Sequence, residues 1–302
     1  MNTGHTKLKR TAHLLLYTFI ICSCAISKYA ANSEYPQIDS RYTGNGILEE
    51  CFHPCSVPGP KERRMYVYLP ADYYETDRRY PVLYLLHGAR GNEMSWIVKG
   101  DILHSIDSLT GCGKMQPCIV VMPNTNQHND DADYGKSRRK NAVASYFEVN
   151  GTVESAFVRD VVGTTDSLYR TLPQKEFRAI AGLSIGGLQT IYITASNPDT
   201  FDYIGIFSPL VHPFLRSANK ASIYHGLKTK HMAQFADPPK VYLLMAGKRD
   251  LLHHRTETFS RYMLREGYPH ELHITSGGHE WSNWKKYCNK LMQVIFDNNP
   301  YL

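Results

Sequence analysis

The sequence predicts an α/β protein with a mostly parallel central sheet and helices on both faces. Three observations carry that expectation. Short, continuously apolar runs recur along the chain, stretches of helical periodicity separate them, and glycine, proline or asparagine closes several of them. A strand buried on both faces reads as an uninterrupted apolar run, as in parallel sheets. Runs of this kind alternating with helices imply crossovers that lay the strands side by side.

The elements follow in order. Arg64-Met65-Tyr66-Val67-Tyr68-Leu69 alternates and stops at Pro70, which predicts a strand at a sheet edge. Val82 to Leu86 is a buried strand ending at His87-Gly88, and Cys118 to Met122 is another, stopped by Pro123-Asn124. Val153, Phe157, Val161 and Val162 recur at helical spacing, and Leu168 continues the stripe. Phe177 to Leu183 is a short strand with a helix behind it to Pro198. Tyr203–Phe207 and Val241–Met245 are two further buried strands. Phe259, Tyr262 and Met263 mark a helix ending near Gly267, Glu271 to Thr275 is the last strand, and Trp284, Tyr287, Leu291 and Ile295 mark a C-terminal helix. In such folds reactive groups gather at the carboxyl ends of the strands, so the positions of interest lie just after Leu86, Met122, Leu183, Met245 and Thr275.

Length and composition bound the rest. A chain of 302 residues can bury one large core or two small ones, and 42% hydrophobic with 21% charged residues is a globular balance. There are no internal repeats and no second linker, so residues 42–302 read as one domain. The net charge is +6, and Lys7, Lys9 and Arg10 supply three of those charges, which leaves +3 for the remainder. No basic stripe with interleaved aromatics is present, so nucleic acid is not an expected partner. The dense run Lys136-Ser137-Arg138-Arg139-Lys140 follows Asp130, Asp131 and Asp133 and reads as a solvated loop.

Residues 1–27 run from a basic stretch through Leu14–Ile21 to small residues, without an acid, which is the layout of a secretory signal peptide. The apolar stretch is too short to span a bilayer comfortably. Residues 28–41 read as a tether. Ile21-Cys22-Ser23-Cys24 also resembles a lipobox, so the expected destination is periplasmic or extracellular, with a membrane contact only if Cys24 is lipidated. Five cysteines then remain: Cys51, Cys55, Cys112, Cys118 and Cys288. After export, Cys51–Cys55 and Cys112–Cys118 could pair, with Cys288 left over; reduced thiols are the alternative. The spacing matches no zinc site.

Gly182-Leu183-Ser184-Ile185-Gly186 stands between a strand and a helix. That context makes Ser184 a candidate nucleophile, held above the sheet on a turn too tight for larger neighbours. Alone the motif is modest evidence, since chance supplies it in about one chain in ten of this length. A serine nucleophile needs a base, and the base needs an orienting carboxylate. Asp250 follows the strand Val241–Met245 and His279 follows the strand ending at Thr275, in the order acid then base. Asp202 and Asp237 are weaker candidates for the acid, and a helix cap is the alternative use of Asp250. His253 and His254 read as the polar end of a helix, and His212 and His225 lie in a segment of undefined structure. An oxyanion hole would combine the N–H groups of Ile185 and of Ala89, in the loop His87-Gly88-Ala89-Arg90-Gly91. His87 precedes the nucleophile and reads as structural. The chemistry calls for no metal and no cofactor.

Three segments together, Tyr80 to Gly88, Gly182 to Gly187 and Gly277-Gly278-His279-Glu280-Trp281, resemble the esterase D-like putative esterase family. The likeness spans about Tyr42 to Phe296. The family includes bacterial feruloyl and acetylxylan esterases, S-formylglutathione hydrolase, siderophore esterases and mycolyltransferases. The resemblance implies an α/β-hydrolase fold, Ser184, Asp250 and His279 as a triad, and Ala89 and Ile185 as oxyanion donors. Ile185 stands where many members carry Met, a mild change because only its N–H is used. Arg90 stands where many carry a small residue, and it and Trp281 are the expected substrate contacts. The implied activity is a secreted serine ester hydrolase, acting on acetyl or feruloyl esters of plant polysaccharide. Siderophore ester cleavage, acyl transfer to a sugar, and a non-catalytic binding protein on the same fold are the alternatives.

Overall fold

The computed structural model describes residues 45–57, 61–126, 150–211 and 222–296. The expected signal peptide and tether, the basic run at 136–140 and His212 lie outside the described residues.

Among the described residues eight strands form one sheet: β1 (Ile47–Pro54), β2 (Glu62–Leu69), β3 (Val82–Leu86), β4 (Ile119–Pro123), β5 (Arg178–Leu183), β6 (Tyr203–Phe207), β7 (Val241–Gly247) and β8 (Glu271–Thr275). Their order is β1-β2-β4-β3-β5-β6-β7-β8. From β4 onward every pairing is parallel, and only β1–β2 and β2–β4 are antiparallel. Strands β3 to β6 are buried along their whole length, which accounts for their uninterrupted apolar sequences.

Alternate residues of each strand feed two cores. On one face Tyr84, Leu86, Ile180, Ile204, Ile206 and Leu244 pack beneath three helices: 152–168 (α2), Ile185–Ser196 (α3) and His253–Arg265 (α5). A fourth helix on this side, Leu227–Gln234 (α4), lies in a stretch without a legible pattern. On the other face Leu83, Leu85, Val120, Ala181, Phe207 and Met245 pack against Ile102–Gly111 (α1) and Trp281–Met292 (α6). Helix α3 is buried at all but its last residue, because the sheet lies below it and α2 and α4 lie beside it.

The structure departs from the sequence reading in several places. The strand at Arg64–Leu69 is not an edge, since β1 pairs with it residue for residue. β1 was hidden because its residues are mostly exposed or half-buried and carry no clean alternation. Leu168 does not continue the buried stripe; it is 58% exposed at the end of α2. A π turn at Val158–Val162 offsets the helical phase before it. All five described cysteines are unpaired thiols. Cys51 lies within extended β1 and Cys55 just beyond its end, so four residues hold them roughly 13 Å apart, past disulfide reach. Cys112 is exposed at the end of α1, whereas Cys118 is buried under the sheet.

Three of the described histidines, His53, His87 and His231, are enclosed by this packing. His231 is fully buried among the rings of Phe235, Phe259, Tyr262 and Tyr268, with one hydrogen bond to the Tyr262 hydroxyl at 3.2 Å. Burial pushes its imidazole down to about 4, does the same to His87, and lowers His53 as well. Because the folded pKa lies below 6.5, only the unfolded chain takes up protons between pH 6.5 and about 4. Stability is therefore full above pH 6.5 and is lost as pH falls toward 4. A displacement from 6.5 to about 4 corresponds to on the order of 3 kcal/mol for each histidine. The melting temperature should fall across this window, and His231→Phe should flatten the slope. A melting temperature independent of pH between 6.5 and 4 would contradict the assignment.

Candidate active site

Strand β5 ends at Leu183 and helix α3 begins at Ile185, so Ser184 alone makes the turn between them. Its backbone takes φ 56° and ψ −113°, a conformation that L residues adopt only under constraint. The turn closes because its flanks have no side chains. A Cβ at Gly182 would lie 2.2 Å from the Gly186 carbonyl oxygen, and one at Gly186 would lie 2.4 Å from the His87 carbonyl oxygen. The Ser184 N–H donates to Phe207 O at 2.8 Å, which ties the turn to the end of β6.

The carboxyl edge of the sheet brings three predicted side chains into one chain of hydrogen bonds. Ser184 Oγ lies 3.1 Å from His279 Nε2, and His279 Nδ1 lies 3.0 Å and 3.1 Å from the two oxygens of Asp250. The Asp250 side chain is wholly buried and that of His279 is 23% exposed. Their loops are laced together, since Lys248 N–H donates to Thr275 O and Arg249 N–H to Gly277 O. Asn283 Nδ2 donates to Gly278 O at 3.0 Å and fixes the loop just before His279.

Desolvation pushes the Asp250 carboxyl up, but several opposing contacts together hold it below the usual carboxylate range. These are the hydrogen bond and charge of His279, the Ser208 hydroxyl, and the Leu252 N–H at 2.7 Å. Asp250 therefore stays ionised and can hold the Nδ1 proton, leaving the Nε2 lone pair toward Ser184. Such an arrangement can draw a proton from the serine as its oxygen attacks a carbonyl carbon.

The other candidates fall elsewhere. Asp237 is exposed and pairs with Lys175, and Asp202, just before β6 at the opposite end of the sheet, faces Lys175 and Lys240. His253 and His254 open α5, where His253 Nδ1 meets the Asp250 carbonyl and His254 meets Glu257. His225 is exposed. His87 is buried with both ring nitrogens engaged. A carbonyl can only accept and an amide can only donate, so Nδ1–H donates to Gly88 O and Nε2 accepts from Thr125 N–H. Held neutral in this way, it shapes the β3 loop.

In that loop Gly91 N–H donates to Gly88 O, making a turn with Ala89 and Arg90 at its corner. Arg90 adopts φ 59°, the left-handed region. Ile185 is the first residue of α3, so its N–H has no partner within the helix and sits at the positive end of the helix dipole. Trp281 opens α6, with its ring edge-on to Trp96 at 5.2 Å and to Trp284 at 5.4 Å.

Two residues at the site escaped the sequence reading. Trp284 lies edge-on to the His279 ring at 4.8 Å and donates from Nε1 to Ser208 Oγ at 3.2 Å. Ser208 follows β6 directly, and the signal for it was available: it stands at a strand's carboxyl end like the other site residues.

With this geometry in view, similarities to known proteins can be placed. The chain is 30% identical over 236 residues to an endo-1,4-beta-xylanase/feruloyl esterase of Xylanibacter ruminicola. That match covers 76% of this chain but only 29% of the relative's length. A ferulic acid esterase from the anaerobic fungus Anaeromyces mucronatus shares the fold, with TM-score 0.68 and 20% identity, covering 88% of this chain and 96% of the other. An S-formylglutathione hydrolase of Staphylococcus aureus does so too, with TM-score 0.63 and 18% identity, covering 83% and 97%. A sequence profile of the family described as "Putative esterase" matches residues 58–291. The chain belongs to that esterase family, whose α/β-hydrolase fold it shares.

Proposed function

We propose that this protein is a secreted serine carboxylic-ester hydrolase that removes feruloyl or acetyl groups from plant polysaccharide. The observation that carries the hydrolase reading is the continuous hydrogen-bond chain from Ser184 through His279 to Asp250. The substrate reading is supported by the relatives named for feruloyl ester cleavage, one of them also a xylanase. Secretion rests on the N-terminal 27 residues, which we take as a signal peptide followed by a tether to residue 41 and the esterase domain beyond it.

In this reading Ser184 Oγ attacks the ester carbonyl while His279 Nε2 takes its proton. The charge that develops on the carbonyl oxygen is met by the N–H groups of Ile185 and Ala89, the first reinforced by the start of α3. His279 then gives its proton to the departing alcohol, leaving an acyl group on Ser184. Water activated by the same histidine attacks that acyl group, and the acid is released as Ser184 regains its proton. Asp250 keeps the imidazole in the right tautomer and stabilises its charged form. Arg90, in the loop after β3, and Trp281, at the start of α6, are the residues we assign to substrate contact.

Ser184→Ala should abolish turnover of p-nitrophenyl acetate, by roughly a thousandfold or more, with an unchanged melting temperature. Unaltered turnover would end the serine mechanism. Methyl ferulate, acetylated xylan and p-nitrophenyl butyrate, assayed side by side, test the substrate. Hydrolysis of either of the first two supports the polysaccharide reading; preference for the butyrate, with neither of the others cleaved, opposes it.

A further inference from the structure

The two N–H groups assigned to the oxyanion belong to different elements: Ile185 opens α3, and Ala89 lies in the loop after β3. Ala89 N–H shares a planar peptide unit with the Gly88 carbonyl, and in a trans unit the two point opposite ways. Whatever holds Gly88 O therefore aims Ala89 N–H. Two donors hold it, Gly91 N–H at 3.0 Å and His87 Nδ1–H at 2.8 Å. This unit lies against the reactive turn, since a Cβ at Gly88 would stand 3.3 Å from Ser184 Cβ.

His87 is in turn held from α3. Thr125 N–H, just past β4, donates to His87 Nε2 at 3.1 Å, which leaves the imidazole proton on Nδ1 for Gly88 O. The Thr125 carbonyl receives Gln189 Nε2 at 3.0 Å, and the same nitrogen donates to Glu154 Oε1 of α2 at 2.9 Å. A carbonyl only accepts, so the contact with Thr125 O fixes which way the Gln189 amide faces. Glu154, Gln189, Thr125 and His87 are all buried, and in a dry interior each bond of such a chain strengthens the next. Gln189 Oε1 finds no partner among the described residues. An amide with an unused acceptor stabilises a core less than an apolar side chain of its size, so packing alone gives no reason for it.

We propose that Gln189 is a positioning residue for the oxyanion site: through Thr125 and His87 it ties the Gly88–Ala89 peptide to α3, the helix that carries the Ile185 N–H. The inference rests on the serine-hydrolase reading given above, in which those two N–H groups meet the carbonyl oxygen. They must keep a fixed spacing although separate elements supply them. Gln189 follows Ile185 by four residues, about one turn of the same helix, so brace and donor move as one body. Glu154 holds the amide from its other side. Without that amide Thr125 keeps His87 but loses its hold on α3, and Ala89 N–H is free to tilt away from the oxyanion.

The test is steady-state kinetics of the full chain on p-nitrophenyl acetate, with a phenyl trifluoromethyl ketone as probe of the oxyanion. Ser184 Oγ adds to the ketone carbon, its proton passes to His279, and the carbonyl oxygen becomes the anion that the two N–H groups meet. Gln189→Met keeps the length of the side chain and removes its donors. It should lower kcat about tenfold with KM little changed, less than the roughly hundredfold or more that follows outright loss of an oxyanion donor. The inhibition constant of the ketone should rise by the factor that kcat/KM falls. The acid limb of the kcat/KM profile, which reports His279 in this reading, should stay in place. If the Met variant folds poorly, His87→Phe cuts the same chain at its next joint and should give the same three results. With both substitutions the second should add little, because the two residues act in series. Wild-type kcat and ketone affinity in a folded variant of either residue would overturn the proposal. So would a loss that follows melting temperature alone, or one that moves the acid limb and so places the damage at the base. Ser184→Ala separates this from failure of the parent reading: if that variant is inactive while Gln189→Met is normal, only the role of Gln189 is lost.

Discussion

Everything at the carboxyl edge of this sheet depends on how closely α3 can approach β3 and β5. The helix starts one residue after its strand, and its first turn rests against the carbonyls of Leu86 and His87 at the end of β3. That distance is set by the absence of a side chain at Gly186, and the matching approach to β5 by the absence of one at Gly182. Were either wider, the Ile185 N–H would turn away from the β3 loop and Ser184 Oγ would leave the reach of His279. A sheet buried on both faces makes such a contact rigid, because no neighbouring element can yield without opening a core.

The second condition is electrical. A carboxylate in a fully buried position is costly unless its lone pairs are taken up. Asp250 meets that condition with an imidazole N–H and a backbone N–H, and its acidity is increased in spite of burial. His87 shows the opposite solution a short distance away. It too is buried, but its partners are a carbonyl and an amide, which suit a neutral ring, and its pKa falls to about 4. The two groups differ less in burial than in the donors and acceptors around them, and that difference separates a residue fit to hold a charge from one that holds a loop.

Strand positions, the sheet's parallel character and the positions of Ser184, Asp250 and His279 at strand ends were legible because each depends on short-range pattern. A buried strand must be apolar throughout, and a reactive turn must have small neighbours. What could not be read depends on tertiary partners. β1 is half-exposed and takes its regularity from β2. Helix α4 carries no strong apolar stripe and is anchored by His231 and Gln234. The cysteine pairing failed because sequence separation was taken for spatial distance, whereas an extended strand keeps Cys51 and Cys55 apart. Ser208 is a single common residue with no motif around it, and only the fold brings Trp284, 76 positions further along, to its hydroxyl.

The location of backbone strain supports the same view of the site. Five described non-glycine residues have left-handed φ: Arg90, Asp101, Ser184, Ser208 and Phe296. Three of them, Arg90, Ser184 and Ser208, lie in the loops that leave β3, β5 and β6, which are neighbours in the sheet. Each such conformation costs on the order of 1–3 kcal/mol, and glycine would adopt it without that cost. Glycine at 184 or 208 would ease the backbone and remove the hydroxyl. At position 90 it would remove a charged side chain from the loop after β3. Strain thus gathers at one edge of the sheet, and the stability to bear it comes from cores on both sides of the same three strands.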